Sequence, residues 1–108
     1  MNVCALIPSY DPDERLISTV EDLRAAGFHH IIVVDDGSRP DCQPNFDALT
    51  PLGCEVIHLS HNSGKGEALK FGFLTFLTKG WSDAGVVTVD GDGQHSGQDA
   101  LRCAYELL

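Results

Sequence analysis

The chain has 108 residues, of which 43% are hydrophobic and 21% charged, as expected for a soluble globular protein. Seven basic against 16 acidic residues give a net charge of −9, which argues against nucleic acid or an anionic membrane surface as the main partner. A ligand that carries phosphates would need a metal ion or backbone amides to neutralise it. We therefore expect a single domain over residues 1–108, with no nucleic-acid partner.

The cysteines indicate a reducing compartment. No Cys-x-x-Cys pair or metal-ligand spacing links the four of them: Cys4, Cys42, Cys54 and Cys103. We expect them to be reduced and mostly buried, which favours a cytoplasmic protein. The first residues lack the charged and long apolar regions of a signal peptide, and no window reaches the roughly 18 apolar residues of a membrane span.

The first predicted strand is the apolar run at residues 3–7, ended by Pro8. Ser9 and Tyr10 follow as a loop. Tyr10 is interpreted either as a ligand contact or as a plain surface aromatic residue.

The first helix has clear predicted ends. The sequence Asp-Pro-Asp-Glu at residues 11–14 predicts a capping box with Asp11 as N-cap and Glu14 at the third helical position. Gly27 is expected to stop the helix. Apolar residues at helical spacing predict its buried face: Leu16, Val20 and Leu23.

The second predicted strand, residues 30–34, ends in Asp35 and Asp36. Adjacent residues face opposite sides of a strand, so one carboxylate can enter a ligand site while the other caps a turn. The alternative is a structural Asx turn closed by Gly37.

The middle of the chain is predicted to be a loop, a strand and a long helix. Three prolines make residues 39–51 loop-like, with a possible helical turn at 45–49, and residues 54–59 are interpreted as the third strand. A helix then runs to Lys79, with Asn62 or Ser63 as its cap.

Lys65 would lie in the first turn of that helix, where the helix dipole disfavours a cation. A nearby anion such as a phosphate would explain it; the alternative is an exposed lysine. The same helix carries an apolar face so wide that a sheet or a partner must cover it: Ala68, Leu69, Phe71, Phe73, Leu74, Phe76 and Leu77.

Residues 86–89 are all β-branched and predict a buried fourth strand. Asp90, Asp92 and Gln94 follow at alternate positions, and oxygen ligands so arranged suit Mg²⁺ or Mn²⁺. Gly91 leaves room for a bulky ligand. The alternative is a solvated acidic turn. A last helix is expected to begin at Ser96 and to continue to the end of the chain.

The predicted order β-α-β-loop-β-α-β-α gives a largely parallel sheet with helices on both faces. Ligands of such sheets bind beyond the carboxyl ends of the strands. A polar motif follows each of the four strands, so all four can meet at one edge. The Rossmann glycine fingerprint, the Walker A loop and the EF-hand pattern are all absent from the sequence.

Four motifs carry a resemblance to a known family: Pro-Ser-Tyr at 8–10, Val-Val-Asp-Asp-Gly-Ser at 33–38, Asn-Ser-Gly-Lys-Gly at 62–66 and Asp-Gly-Asp-Gly-Gln-His at 90–95. In this order they resemble family 2 glycosyltransferases of the Rossmann-like GT-A fold. The polyprenyl-phosphate (dolichol-phosphate) mannosyl- and glucosyltransferases are the most similar group.

The resemblance implies a nucleotide-diphosphate-sugar donor, a GDP- or UDP-sugar, and a lipid-phosphate or saccharide acceptor. Pro8 and Tyr10 would flank the base, and Asp36, or Asp35, would bind the base or the ribose. The metal would be held at the diphosphate by Asp90, Asp92 and Gln94, and the nucleotide-binding set is completed by Lys65, Asp90 and Gly91.

Family members continue for roughly another hundred residues, with an acceptor site and a catalytic carboxylate, so no general base is assigned in this chain. We expect it to be the nucleotide-binding N-terminal part of an enzyme that is cytoplasmic or peripheral to the inner face of the membrane. Its apolar surface is expected to allow self-association. The alternative functions are a non-catalytic nucleotide-binding module and a haloacid-dehalogenase-like phosphatase.

Overall fold

A computed structural model describes residues 2–89. Its strands and helices alternate: β1 (Val3–Ser9), α1 (Arg15–Ala25), β2 (Ile31–Asp35), α2 (Gln43–Asp47), β3 (Glu55–His58), α3 (Lys65–Lys79) and β4 (Gly85–Thr88). Two short 3-10 turns, Pro40–Cys42 and Thr50–Leu52, flank α2. The predictions for the loop that starts at Asp90 and for the last helix lie outside the described residues.

The four strands form one parallel sheet in the order β3-β2-β1-β4. Helices α1 and α2 pack on one face and α3 packs on the other. Buried apolar side chains alternate between the two faces of β1: Val3, Ala5 and Ile7 toward α1, Cys4 and Leu6 toward α3. The predicted α/β architecture is confirmed.

Strand β1 runs two residues further than predicted, because Pro8 does not end it. Pro8 is paired with Val34 of β2, and Ser9 is paired with Asp35. The carbonyl of Leu6 accepts a hydrogen bond from the N–H of Val89, on the β4 side. The backbone N–H and C=O groups of the even-numbered residues of β1 therefore point toward β4 and away from β2. The N–H that proline lacks would therefore point away from β2, and that pairing loses nothing.

The capping box predicted at the start of α1 is wrong. The helix begins at Arg15, with Glu14 in the N-cap position and no side-chain cap bond. Asp13 instead accepts the Arg15 backbone N–H at 2.9 Å, and the Arg15 guanidinium beside it lowers the pKa of the Asp13 carboxyl. Asp11 has a left-handed backbone (φ 48°), and its carboxylate accepts the backbone N–H of Arg39.

The predicted helix ends are confirmed. After α1, Gly27 has φ 103° and donates to Arg24, while Phe28 donates to Leu23 at 3.0 Å, the two bonds of a Schellman motif. Helix α3 ends at Gly80, also in the left-handed region.

The cap predicted for the start of α3 is wrong. Gly64 is the N-cap residue, with φ 94°, and no side chain of the loop caps the helix. The backbone N–H groups of Ser63 and Gly64 are bound instead by Asp36, a residue 27 positions before Ser63.

Helix α3 lies very close to the sheet at Gly72, where a Cβ would fall 2.2 Å from a methyl of Leu6. The sheet buries Ala68 and Gly72 completely or nearly so. Four large apolar side chains of the helix stay exposed: Phe71, Phe73, Leu74 and Leu77. The sheet therefore covers only a narrow part of the apolar face that the sequence predicts.

The described cysteines are free thiols, with Cys4 and Cys42 buried and Cys54 partly buried. Burial raises the pKa of Cys4 to about 12, helped by the charge of Asp83, and raises that of Cys54 to about 11. Both thiols are thus protonated at neutral pH. Across residues 2–89, each helix is too short or too polar to cross a membrane.

Candidate functional site

A cleft of about 340 Å³ opens at the carboxyl edge of the sheet. Its walls come from three of the four motifs that the sequence predicted to converge: Pro8, Ser9, Tyr10, Asp36, Asn62, Gly64, Lys65 and Ala68. The fourth motif, with Asp90, Gly91, Asp92 and Gln94, lies outside the described residues. Strands β2 and β3 are added on one side of β1 and β4 on its other side, and such switch points in strand order are where open α/β sheets bind ligands.

Asp36 shapes one wall of the cleft. Its side chain is almost fully buried, with the residue only 4% exposed, and it lines the cleft. One carboxylate oxygen accepts the Ser63 N–H at 2.8 Å and the other accepts the Gly64 N–H at 2.9 Å. Each oxygen keeps a second lone pair, so the carboxylate can still accept a hydrogen bond from a ligand.

Asp35 makes different contacts from those of Asp36. It accepts the Ser38 N–H at 2.8 Å, which closes the turn after β2, and its other oxygen lies 2.6 Å from Nδ1 of His58. Among the described residues the cleft lining contains Asp36 and not Asp35. This geometry agrees with the expectation that one carboxylate faces the site and the other holds a turn, and it favours Asp36 as the ligand contact.

The turn after β2 fits tightly under the loop that precedes α3. Gly37 has φ 73°, and a Cβ there would lie 2.3 Å from the carbonyl carbon of His61 and 2.4 Å from the nitrogen of Asn62. Only glycine tolerates both the backbone conformation and this approach. The two loops therefore meet backbone to backbone beside Asp36.

Tyr10 and Lys65 both line the cleft. Tyr10 is 53% exposed, and Lys65, predicted to lie in the first turn of α3, is the first residue of that helix. The exposed face of Tyr10 can stack on a flat ring, and the helix start supplies backbone N–H groups and positive potential for an anion. The positions of these two residues suit a ligand that has a ring at one end and phosphates at the other.

The predicted metal ligands Asp90, Asp92 and Gln94 are not tested by residues 2–89. Within that part of the chain, His, Cys, Asp and Glu form no group of three or more that could hold a metal ion. Val89, the last residue described, donates a backbone hydrogen bond to Leu6. The chain therefore leaves β4 beside β1, the strand that carries Pro8 and Tyr10 into the cleft.

Sequence reasoning missed two residues that organise this edge, His58 and Ser38. His58 bonds Asp35, and the Ser38 hydroxyl accepts the backbone N–H of Asp11 at 2.8 Å. The available signal for His58 was a polar residue in the last two positions of a strand predicted to end at the ligand edge. The partner of Ser38 lies 27 positions away and left no local pattern.

Comparison with known proteins identifies a family that matches nearly the whole chain. Residues 4–107 match the family described as Glycosyl transferase family 2. The polyprenol monophosphomannose synthase of Mycolicibacterium smegmatis is 33% identical over 101 residues, which cover 90% of this chain and 37% of that protein. The glycosyltransferase AglJ of Haloferax volcanii is 28% identical over 100 residues, covering 93% of this chain and 30% of that protein.

A third relative is the UDP-N-acetylglucosamine–dolichyl-phosphate N-acetylglucosaminyltransferase of Methanococcus voltae. It is 25% identical over 117 residues, which cover 95% of this chain and 46% of that protein. The chain thus spans 30% to 46% of the length of these three relatives. The family match confirms the resemblance found in the sequence motifs and favours it over the phosphatase alternative.

Proposed function

Because this chain belongs to glycosyltransferase family 2, we propose that its protein transfers a sugar from a nucleotide-diphosphate-sugar to an acceptor, and that the cleft holds the nucleotide. The observation that carries the proposal is the convergence of Tyr10, Asp36 and Lys65 on one cleft at the carboxyl edge of the sheet. Tyr10 and Pro8 would flank the base, Asp36 would accept a hydrogen bond from the base or ribose, and Lys65 would meet the phosphates.

The acceptor we propose is a polyprenyl phosphate. Two relatives support it, because both are named for lipid-linked sugar transfer: a polyprenol monophosphomannose synthase and a dolichyl-phosphate N-acetylglucosaminyltransferase. A lipid acceptor would place the protein at a membrane, and we propose the cytoplasmic face. Fractionation of cells into membrane and cytosol would test that location, and recovery away from membranes would contradict it.

A divalent metal, Mn²⁺ or Mg²⁺, completes the proposed site. Asp90, Asp92 and Gln94 would hold it, since carboxylate and amide oxygens are the ligands that hard cations prefer. When bound, the metal neutralises the charge of the leaving diphosphate. The net charge of −9 supports the proposal of a metal, because the chain has only seven lysines and arginines that could neutralise a diphosphate.

The test is calorimetric titration of the full-length protein with UDP and GDP, with and without Mn²⁺, followed by turnover with the sugar nucleotide of the tighter base and polyprenyl phosphate. Lys65→Met should weaken diphosphate binding about fivefold to tenfold through loss of a charge-assisted contact. Lys70→Met is the matched control, because Lys70 is an exposed lysine of the same helix that does not line the cleft.

Failure of both nucleotides to bind would refute the proposed function. Binding without turnover in the full-length protein would identify a non-catalytic nucleotide-binding module instead.

We also propose that the exposed apolar side chains of α3 allow self-association. Phe71, Phe73, Leu74 and Leu77 are each 44% to 58% exposed, an unusual cluster for a surface helix. Sedimentation equilibrium should give a mass above that of the monomer, and Phe73→Lys should restore the monomer while the exposed control Ser82→Lys should not. A wild-type monomer at all concentrations would contradict this.

A further inference from the structure

His58 lies outside the cleft but is connected to it through Asp35. Its Nδ1 is 2.6 Å from Oδ2 of Asp35, whose side chain is only 9% exposed against 44% for His58. A carboxylate only accepts, so Nδ1 is the donor. The imidazole and the buried ring of Phe46 lie nearly perpendicular, with their centroids 5.5 Å apart, and this packing limits how the imidazole can turn.

Asp35 links His58 to the turn after β2. Its second oxygen accepts the Ser38 N–H at 2.8 Å, so the carboxylate joins the end of β3 to Ser38. The Ser38 hydroxyl in turn accepts the backbone N–H of Asp11 at 2.8 Å. Three consecutive hydrogen bonds thus connect His58 to Asp11.

Asp11 gains from this support, because it has a left-handed backbone (φ 48°), which L-residues disfavour. It is the sole non-glycine residue with positive φ in the stretch from 2 to 89. Arg39 adds a backbone N–H to Asp11 Oδ1 at 2.8 Å, so the turn after β2 holds Asp11 at two points. Tyr10, which lines the cleft, precedes Asp11 directly.

We propose that His58 is a positioning residue for the cleft, which fixes the Tyr10 loop through Asp35, Ser38 and Asp11. Asp36 holds the opposite wall through Ser63 and Gly64, so the two adjacent aspartates anchor the two sides of the cleft separately. The ligand in this proposal rests on the proposed nucleotide function, whereas the restraint on Tyr10 does not.

The experiment compares His58→Leu, which removes the donor, with His58→Asn, whose side-chain amide can place an N–H near the position of Nδ1. His29→Leu is the matched control, an exposed histidine at the other edge of the sheet. Two quantities are measured on the full-length protein: the NMR amide resonances of Tyr10, Asp11 and Ser38, and the affinity for UDP or GDP with Mn²⁺.

His58→Leu should shift the Tyr10, Asp11 and Ser38 amide resonances and weaken nucleotide binding about fivefold, the effect of one lost hydrogen bond. His58→Asn should restore both, and His29→Leu should change neither. Rescue by asparagine separates positioning from a loss of packing against Phe46. Unchanged amide resonances in His58→Leu, or no rescue by asparagine, would overturn the proposal.

Ser38→Ala provides a second route if His58→Leu does not fold. It removes the acceptor of the Asp11 N–H without changing Asp35, and it should shift the Tyr10 and Asp11 amides and weaken binding to a similar extent. Wild-type affinity in Ser38→Ala would overturn the proposal. If the amides respond as expected while the wild type binds no nucleotide, the proposed function fails and the positioning role stands.

Discussion

Two histidine–aspartate pairs lie at opposite edges of the same sheet. At the carboxyl edge, His58 and Asp35 are 2.6 Å apart, and at the amino edge His30 and Asp83 are 2.7 Å apart. Both aspartates are buried and both histidines are partly exposed. Each pair ties together segments distant in sequence, so the two pairs look equivalent by distance alone.

Their surroundings differ. Both oxygens of Asp35 are bonded, and the second bond closes a loop that leads to the cleft. At the amino edge, Trp81 stacks flat on His30 at 3.9 Å, and Oδ2 of Asp83 is buried with no partner among the described residues. The same pair of residue types therefore holds a loop beside the cleft at one edge and packs against Trp81 at the other.

The comparison predicts that substitutions at the carboxyl edge change ligand affinity and those at the amino edge change stability. The largest effect is expected at Asp36, whose buried carboxylate holds two backbone N–H groups and lines the cleft. Asp36→Ala should weaken nucleotide binding tenfold or more, with or without metal, by calorimetry. The exposed Asp47→Ala is the charge-matched control.

An Asp36→Ala protein that binds nucleotide as the wild type does would show that this carboxylate only fixes the loop. An unfolded variant would show the same, since its main role would then be structural.

A smaller effect is expected at the amino edge, where Trp81 packs on His30 and also contacts Phe76 edge to face. Trp81→Ala should lower the free energy of unfolding by about 2 kcal/mol, less than for a fully buried tryptophan because this ring is partly exposed. Nucleotide affinity should not change. Urea denaturation measures the first quantity, with the exposed Phe71→Ala as a control of smaller effect. A Trp81→Ala protein that loses nucleotide affinity but keeps its stability would contradict the expected difference between the two edges.

Local patterns were enough to predict the framework of this fold. The β-branched runs of β2 and β4 predict buried strands, and Gly27 and Gly80 predict where the helices end, because each signal depends on residues close in sequence. The convergence of the cleft residues followed from the parallel order alone.

The details that sequence reasoning got wrong or missed all depend on long-range contacts. Asp11 does not cap α1 because Arg39 and Ser38 bind it, and the start of α3 is held by Asp36 rather than by its own loop. His58 likewise gains its role from a partner 23 positions earlier. No local sequence pattern predicts these contacts, because the partners are far apart in the chain.

We propose that a nucleoside diphosphate and a metal ion occupy the cleft at the carboxyl edge. The most direct measurement is paramagnetic broadening of backbone amide signals in the full-length protein by Mn²⁺ with UDP or GDP. We predict the strongest broadening at Tyr10, Asp36 and Lys65 and much weaker broadening at His30 and Trp81, with the broadening abolished by Asp92→Asn. Broadening that is strongest at the His30 edge, or cleft broadening that persists in Asp92→Asn, would contradict this placement of the metal.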